Sequence, residues 1–222
     1  MRNSVFANGE FYHVYNRGVD KRKVSFNRRD YERFIDSMSV FNDVEPIGHL
    51  DRELLFVEAK PRQKEALVSI VAYCLMPNHF HFLLKQIHDN GVSKFLQKLL
   101  TGYTMYFNKK YDRSGVLYQG VFKSKHIKDD PYLLHLTRYI HLNPVEVCAD
   151  GLTDSKAINN ALGEYRWSSY ADYLGIRKDS GLVDGKNIVL DMFKDRRGYE
   201  KFVIDQLNKN SDNLSRFRLD KR

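Results

Sequence analysis

The stretch Tyr73-Cys74-Leu75-Met76-Pro77-Asn78-His79-Phe80-His81-Phe82-Leu83-Leu84 constrains this chain more than any other. It is apolar and rich in β-formers, is broken once by Pro77-Asn78, and resumes with two histidines. The pattern predicts two strands, Val68–Met76 and His79–Lys85, joined by a tight turn. In a strand, side chains alternate between faces, so His79 and His81 share one face and Phe80, Phe82 and Leu84 the other. The phenylalanine face suits a core. The opposite face presents two imidazoles at neighbouring positions, a spacing that can bind one metal ion. Two ligands do not hold a divalent ion, so this reading requires a third from elsewhere in the chain.

The rest of the chain orders itself around this hairpin. Phe11–Asn16 alternates and ends at Arg17-Gly18, a strand closed by a turn. Lys21-Arg22-Lys23 follows as a basic loop. Asn27 caps a predicted helix through about Val40, with Tyr31, Phe34, Ile35 and Met38 on one face. Residues 43–66 are less regular, with Leu54–Val57 as a short strand before the break at Lys60–Lys64. Val92–Tyr111 has helical spacing, with Phe95, Leu99, Tyr103 and Tyr106 as its core stripe and Asn108-Lys109-Lys110 at its end. Val116–Ile127 reads as a strand carrying Lys123 and Lys125.

Asp130 and Pro131 then open a helix with Leu133, Leu136 and Ile140 as its apolar stripe. Tyr139 and Asn143 are four apart and face the same way, and His135 lies one turn earlier. Pro144 is expected to loosen helical geometry at Asn143. A polar link at Asp150–Asp154 leads to Trp167-Ser168-Ser169-Tyr170 and a helical tail from Gly185, and the basic residues 216–222 are expected to fray. Hairpin-linked strands mixed with helices imply an α+β class: a ferredoxin-like antiparallel sheet with helices on one face, plus a C-terminal helical extension.

Composition narrows the partners. The 222 residues carry a net charge of +8, and the 14 Tyr and 14 Phe are interleaved with Lys and Arg. That balance favours a polyanion, nucleic acid before membrane. No apolar run is long enough to span a bilayer, and the first residues lack a signal-peptide core. Two cysteines, Cys74 and Cys148, in no metal or redox spacing fit a reducing cytoplasm.

Five blocks, YHVYNRG (Tyr12–Gly18), YCLMPNHFHFLL (Tyr73–Leu84), SGVLYQGVFKSK (Ser114–Lys125), YLLHLTRYIHLNPV (Tyr132–Val145) and WSSY (Trp167–Tyr170), occur here in one order. In that order they resemble the single-tyrosine HUH transposases, and among these the REP-associated tyrosine transposases. The segment before the histidine hairpin is longer than in many relatives, and Tyr118 stands where relatives often have tryptophan. The resemblance implies a nuclease domain over residues 1–150 that cuts and joins single-stranded or hairpin DNA, with residues 151–222 as a helical extension. It implies that His79, His81 and Asn143 hold Mg²⁺ or Mn²⁺, and that Tyr139 is the nucleophile that forms a 5′-phosphotyrosine.

Lys21, Arg22, Lys23, Lys109, Lys110, Lys123 and Lys125 are the candidate phosphate contacts. The family includes members that exchange the tyrosine helix between subunits and members that use it in their own chain, so monomer and homodimer both stay open. The competing reading is a nucleic-acid-binding protein that has lost cleavage. A hydrolase using a metal-activated water would not need Tyr139.

Overall fold

The computed structural model describes residues 5–45, 65–179 and 181–209. The expected order of elements is present: β1 (Phe11–Arg17), α1 (Arg28–Phe41), β2 (Val68–Leu75), β3 (His79–Gln86), α2 (Gly91–Lys110), β4 (Lys123–Ile127) and α3 (Asp130–Leu142). The strands form one antiparallel sheet in the order β2-β3-β1-β4. This is the split βαβ arrangement of ferredoxin-like folds, in which β3 inserts between the two strands that α1 connects. The short strand expected at Leu54–Val57 and the basic residues 216–222 lie outside the described residues.

Contacts divide the chain into two compact units, each entered more than once. Among the described residues, the first comprises those up to 69, 77–80 and 84–126. Here α1 starts at Asn27, whose side chain accepts from the Asp30 amide in a reciprocal capping box. Tyr31, Phe34, Met38 and Phe41 are buried along one side of α1. Phe95, Leu99, Tyr103 and Phe107 recur every fourth residue along α2 and are all buried. Phe34 meets Phe80 of β3 and Tyr103 of α2, with ring centroids 5.7 and 4.8 Å apart. Tyr106 is not part of this stripe. It drifts off the i+4 row to the helix flank, where its hydroxyl donates to Asp30 Oδ1 at 3.0 Å.

The strand expected over Val116–Ile127 is regular only from Lys123. Residues 116–122 are instead an irregular segment fixed to the end of β1. Tyr118 bridges Gly18, and Gln119 N–H donates to Arg17 O at 2.8 Å. Gly120, at φ +59°, breaks the extended path. Gly18 itself tolerates no side chain, because a Cβ there would lie 2.3 Å from Arg22 O.

The second unit comprises residues 70–76, 81–83 and 127–222. It adds α4 (Val145–Cys148), α5 (Ser155–Glu164), α6 (Tyr170–Leu174), α7 (Asn187–Leu190) and α8 (Arg196–Lys209) to α3. The helical tail is thus two pieces, α7 and α8, and α5 and α6 precede it. β2 ends the sheet's strand order, yet all eight of its residues are buried. Its outer edge is covered by Trp167–Ser169: Leu75 N–H donates to Trp167 O at 2.8 Å and Ser169 N–H to Tyr73 O at 3.0 Å. Asp184 accepts from Ile70 N–H at 2.8 Å further along the strand. An edge closed in this way offers no template for another chain's strand.

Two details of α3 differ from expectation. The cap is Asp129, whose Oδ1 accepts from Tyr132 N–H at 2.8 Å, so Asp130 is already helical. Asn143 keeps helical angles, φ −52° and ψ −42°, in spite of Pro144. The helix meets the proline by tightening: Asn143 N–H reaches Ile140 O, three residues back, at 3.4 Å.

Candidate active site

β3 delivers the histidines. His79 opens the strand, half-buried, and His81 is fully buried two residues on. Strand alternation places them on one face. His79 Nδ1 donates to Asn78 Oδ1 at 2.6 Å, which orients the ring.

α3 brings its tyrosine to the second of these histidines. The Tyr139 ring meets the His81 ring edge-on, with centroids 5.4 Å apart and planes at 81°. Tyr139 is half-buried, and Asn143, one turn later, is 9% exposed. Among the described residues, the buried atoms that make no hydrogen bond include His81 Nε2 and Asn143 Nδ2. No cluster of three His, Cys, Asp or Glu side chains placed to hold a metal occurs among the described residues.

Behind Tyr139 lies a buried network that sequence reasoning missed. His141 is fully buried, with Nδ1 2.6 Å from Tyr199 Oη on α8 and Nε2 2.8 Å from Ser169 Oγ. Ser169 Oγ in turn donates to Tyr73 O on β2 at 3.2 Å. The donors and acceptors close only one way: Tyr199 O–H to His141 Nδ1, His141 Nε2–H to Ser169 Oγ, and Ser169 O–H to Tyr73 O. Burial pushes the His141 pKa down to about 3, so the ring is neutral as this arrangement requires.

Two further contacts hold the same helix. The Arg138 guanidinium lies 4.1 Å from the centre of the Phe202 ring, and Arg138 Nη2 is 2.7 Å from His135 Nδ1. His135 is exposed on α3 and joins that contact rather than the Tyr139–His81 pair. The sequence signals for the network were the histidine of RYIHLNP and the second serine of WSSY.

The basic residues are distributed unevenly. Lys21, Arg22 and Lys23 are exposed on a loop pinned to the Pro77-Asn78 turn that leads into His79. Gly18 N–H donates to Asn78 O at 2.8 Å, Val24 N–H to Pro77 O at 2.7 Å, and Asn78 Nδ2 to Lys21 O at 3.3 Å. Arg22 also pairs with Asp20 at 3.2 Å. Lys109 is exposed at the end of α2. Lys123 and Lys125 are exposed on one face of β4, and the Lys123 ammonium lies 5.9 Å from the Tyr15 ring centre.

Lys110 is placed differently. Its ammonium pairs with the fully buried Asp30 at 2.5 Å and also donates to Tyr106 Oη at 3.0 Å. Burial alone would raise the Asp30 pKa, but Lys110, Tyr111, the Phe26 amide and Tyr106 together hold it below the usual carboxylate value.

Residues 55–143 match the family model for IS200-like transposases. The match covers about two fifths of the chain. It spans the histidine hairpin, α2, β4 and the tyrosine helix, ending at Asn143. Among solved structures, a REP-associated tyrosine transposase bound to a REP hairpin has the same fold, at a TM-score of 0.51 and 13% identity. The likeness covers 79% of this chain and 85% of that one, so it runs beyond residues 55–143 into the helices that follow. None of the curated proteins matches the sequence. No helix among the described residues is long and apolar enough to cross a membrane.

Proposed function

We propose that the segment matching the transposase family model is a metal-dependent single-stranded DNA transesterase that cuts and rejoins DNA through a 5′-phosphotyrosine on Tyr139. The observation that carries this reading is the edge-on approach of Tyr139 to His81, with Asn143 one turn further along the same helix. His79, His81 and Asn143 are the ligands, and Mg²⁺ or Mn²⁺ the ion. The REP hairpin bound by the structural relative supports hairpin DNA with adjacent single strand as the substrate class.

The chain's own residues divide the work. Tyr139 Oη attacks the scissile phosphorus in line with the departing 3′ oxygen. The Tyr139 O–P bond forms, the P–O3′ bond breaks, the phenol proton is lost and the 3′ oxygen gains one. A bound divalent ion supplies positive charge for a non-bridging oxygen of that phosphate. The phosphodiester energy is kept in the tyrosyl ester, so a 3′-hydroxyl can attack it later, rejoin the strand and return the phenol.

The buried His141–Tyr199–Ser169 network holds α3 so that Tyr139 arrives pre-oriented, which lowers the entropic barrier to attack. Lys21, Arg22 and Lys23, pinned to the turn before His79, contact phosphates of the bound strand. Lys109, Lys123 and Lys125 extend the contact.

The test is a covalent adduct. Incubation with labelled single-stranded or hairpin DNA and Mg²⁺ or Mn²⁺ is expected to give a protein–DNA species that survives SDS. Cleavage that leaves no adduct would replace this reading with a water-using hydrolase, and binding without cleavage would replace it with a non-catalytic binding protein.

A further inference from the structure

Phe26 does not behave like a core phenylalanine. It precedes the cap of α1, a position where an apolar residue usually packs inward against the fourth helical residue. Here the ring is 56% exposed. Its backbone is nevertheless fixed, because Phe26 N–H donates to Asp30 Oδ2 at 2.8 Å. One face of the ring stacks on buried Phe107 at 5.5 Å and 28°. Its flank is walled by Tyr111, edge-on at 4.9 Å and 74°. Tyr111 is itself held by Asp30 Oδ2, at 2.6 Å. The aromatic shelf is thus held by contacts of its own chain.

Cations surround the shelf. The Lys110 ammonium lies 5.2 Å from the Tyr111 ring centre, and the Arg113 guanidinium 5.6 Å from that of Phe107. Lys23, three residues before Phe26, is exposed, as is Lys109. An open aromatic face held by its neighbours, with exposed Lys23 and Lys109 close to it in sequence, matches one ligand chemistry well: an unpaired base on the ring with its phosphates on those lysines. Cap formation does not account for the exposure, since Asn27 and Asp30 perform it without the Phe26 ring.

We infer that Phe26, backed by Phe107 and Tyr111, is a stacking shelf for an unpaired nucleobase. The shelf rests on the single-stranded DNA reading given above and adds to it a base contact outside the Tyr139 site. Because stacking reads any base's π-face, the shelf holds strand without selecting sequence.

Fluorescence anisotropy on the full chain tests it, with labelled oligothymidylate and a fully abasic strand of the same length as probes. Phe26→Ala is expected to weaken oligothymidylate binding by about tenfold and to leave abasic-strand binding unchanged. Phe26→Trp is expected to restore it. Equal weakening of both probes, or of neither, overturns the shelf while leaving the DNA reading intact. Parent protein that binds neither probe overturns the DNA reading, and the shelf with it.

Discussion

His81 of β3 and Tyr139 of α3 meet ring to ring, edge-on at 5.4 Å and 81°. The contact joins a strand residue to a helix residue 58 positions later in the sequence. It sets the Tyr139 ring beside an imidazole that is fully buried.

The histidines are expected to act through a metal. His79→Ala leaves a half-buried position without disturbing the core, and His81→Gln keeps volume in a buried one. Each should lower Mg²⁺- or Mn²⁺-dependent cleavage by more than the roughly 10- to 100-fold that loss of a supporting residue costs. Cleavage rates with and without EDTA check this. Full activity in chelator, or in the doubly substituted chain, would remove the metal from the site.

The lysines are expected to separate into two kinds. Lys23→Ala, Lys109→Ala and Lys125→Ala should weaken binding and reduce the salt slope by about 0.7 each, as for a single-strand phosphate contact. Lys110→Ala should instead lower stability by about 1–3 kcal/mol, because it strips an ammonium from the buried Asp30 carboxylate. Urea unfolding and salt-dependent anisotropy distinguish the two effects. A Lys110→Ala protein of unchanged stability and flattened salt slope would make Lys110 a phosphate contact.

The His141 network is expected to make the fold acid-sensitive. The folded-state pKa is about 3, below the ordinary 6.5. Between those values the unfolded chain binds a proton here that the folded chain does not. The stability of the neutral ring is therefore complete above pH 6.5 and lost as pH falls toward 3, by at most about 1.4 kcal/mol per pH unit. Urea midpoints should fall from pH 6.5 to pH 5, and His141→Gln should flatten that limb while lowering stability at pH 7. An equally steep limb in His141→Gln would place the acid sensitivity elsewhere.

Periodicity made the framework readable. The alternation of His79–Leu84 and the spacing of Phe95, Leu99 and Tyr103 marked a strand and a helix, and both form, although β3 buries His81 and Leu83 as well as its phenylalanine face. Asn27 was legible as a cap because its chemistry is local. What failed was set by distant partners. Tyr106 leaves the core stripe because Asp30, on another helix, binds its hydroxyl. Residues 116–122 give up strand geometry because Gly18 and Arg17 fix them from β1. His141, Tyr199 and Ser169 lie 28 and 58 residues apart along their hydrogen bonds, and no local pattern links them. α5 could have been found from Asp154 followed by Ile158 and Leu162, a cap and an apolar stripe.

The nucleophile is the central claim, and Tyr139→Phe tests it most directly. The substitution removes one oxygen and keeps the ring that meets His81, so folding, metal binding and DNA binding should be nearly unchanged. Labelled single-stranded DNA with Mn²⁺, run on SDS gels and followed by peptide mapping, is the measurement. The expected result is an adduct on the Tyr139 peptide in the parent chain, with both adduct and cleavage lost in Tyr139→Phe. An adduct that persists in Tyr139→Phe, mapped to another tyrosine, would contradict this active site.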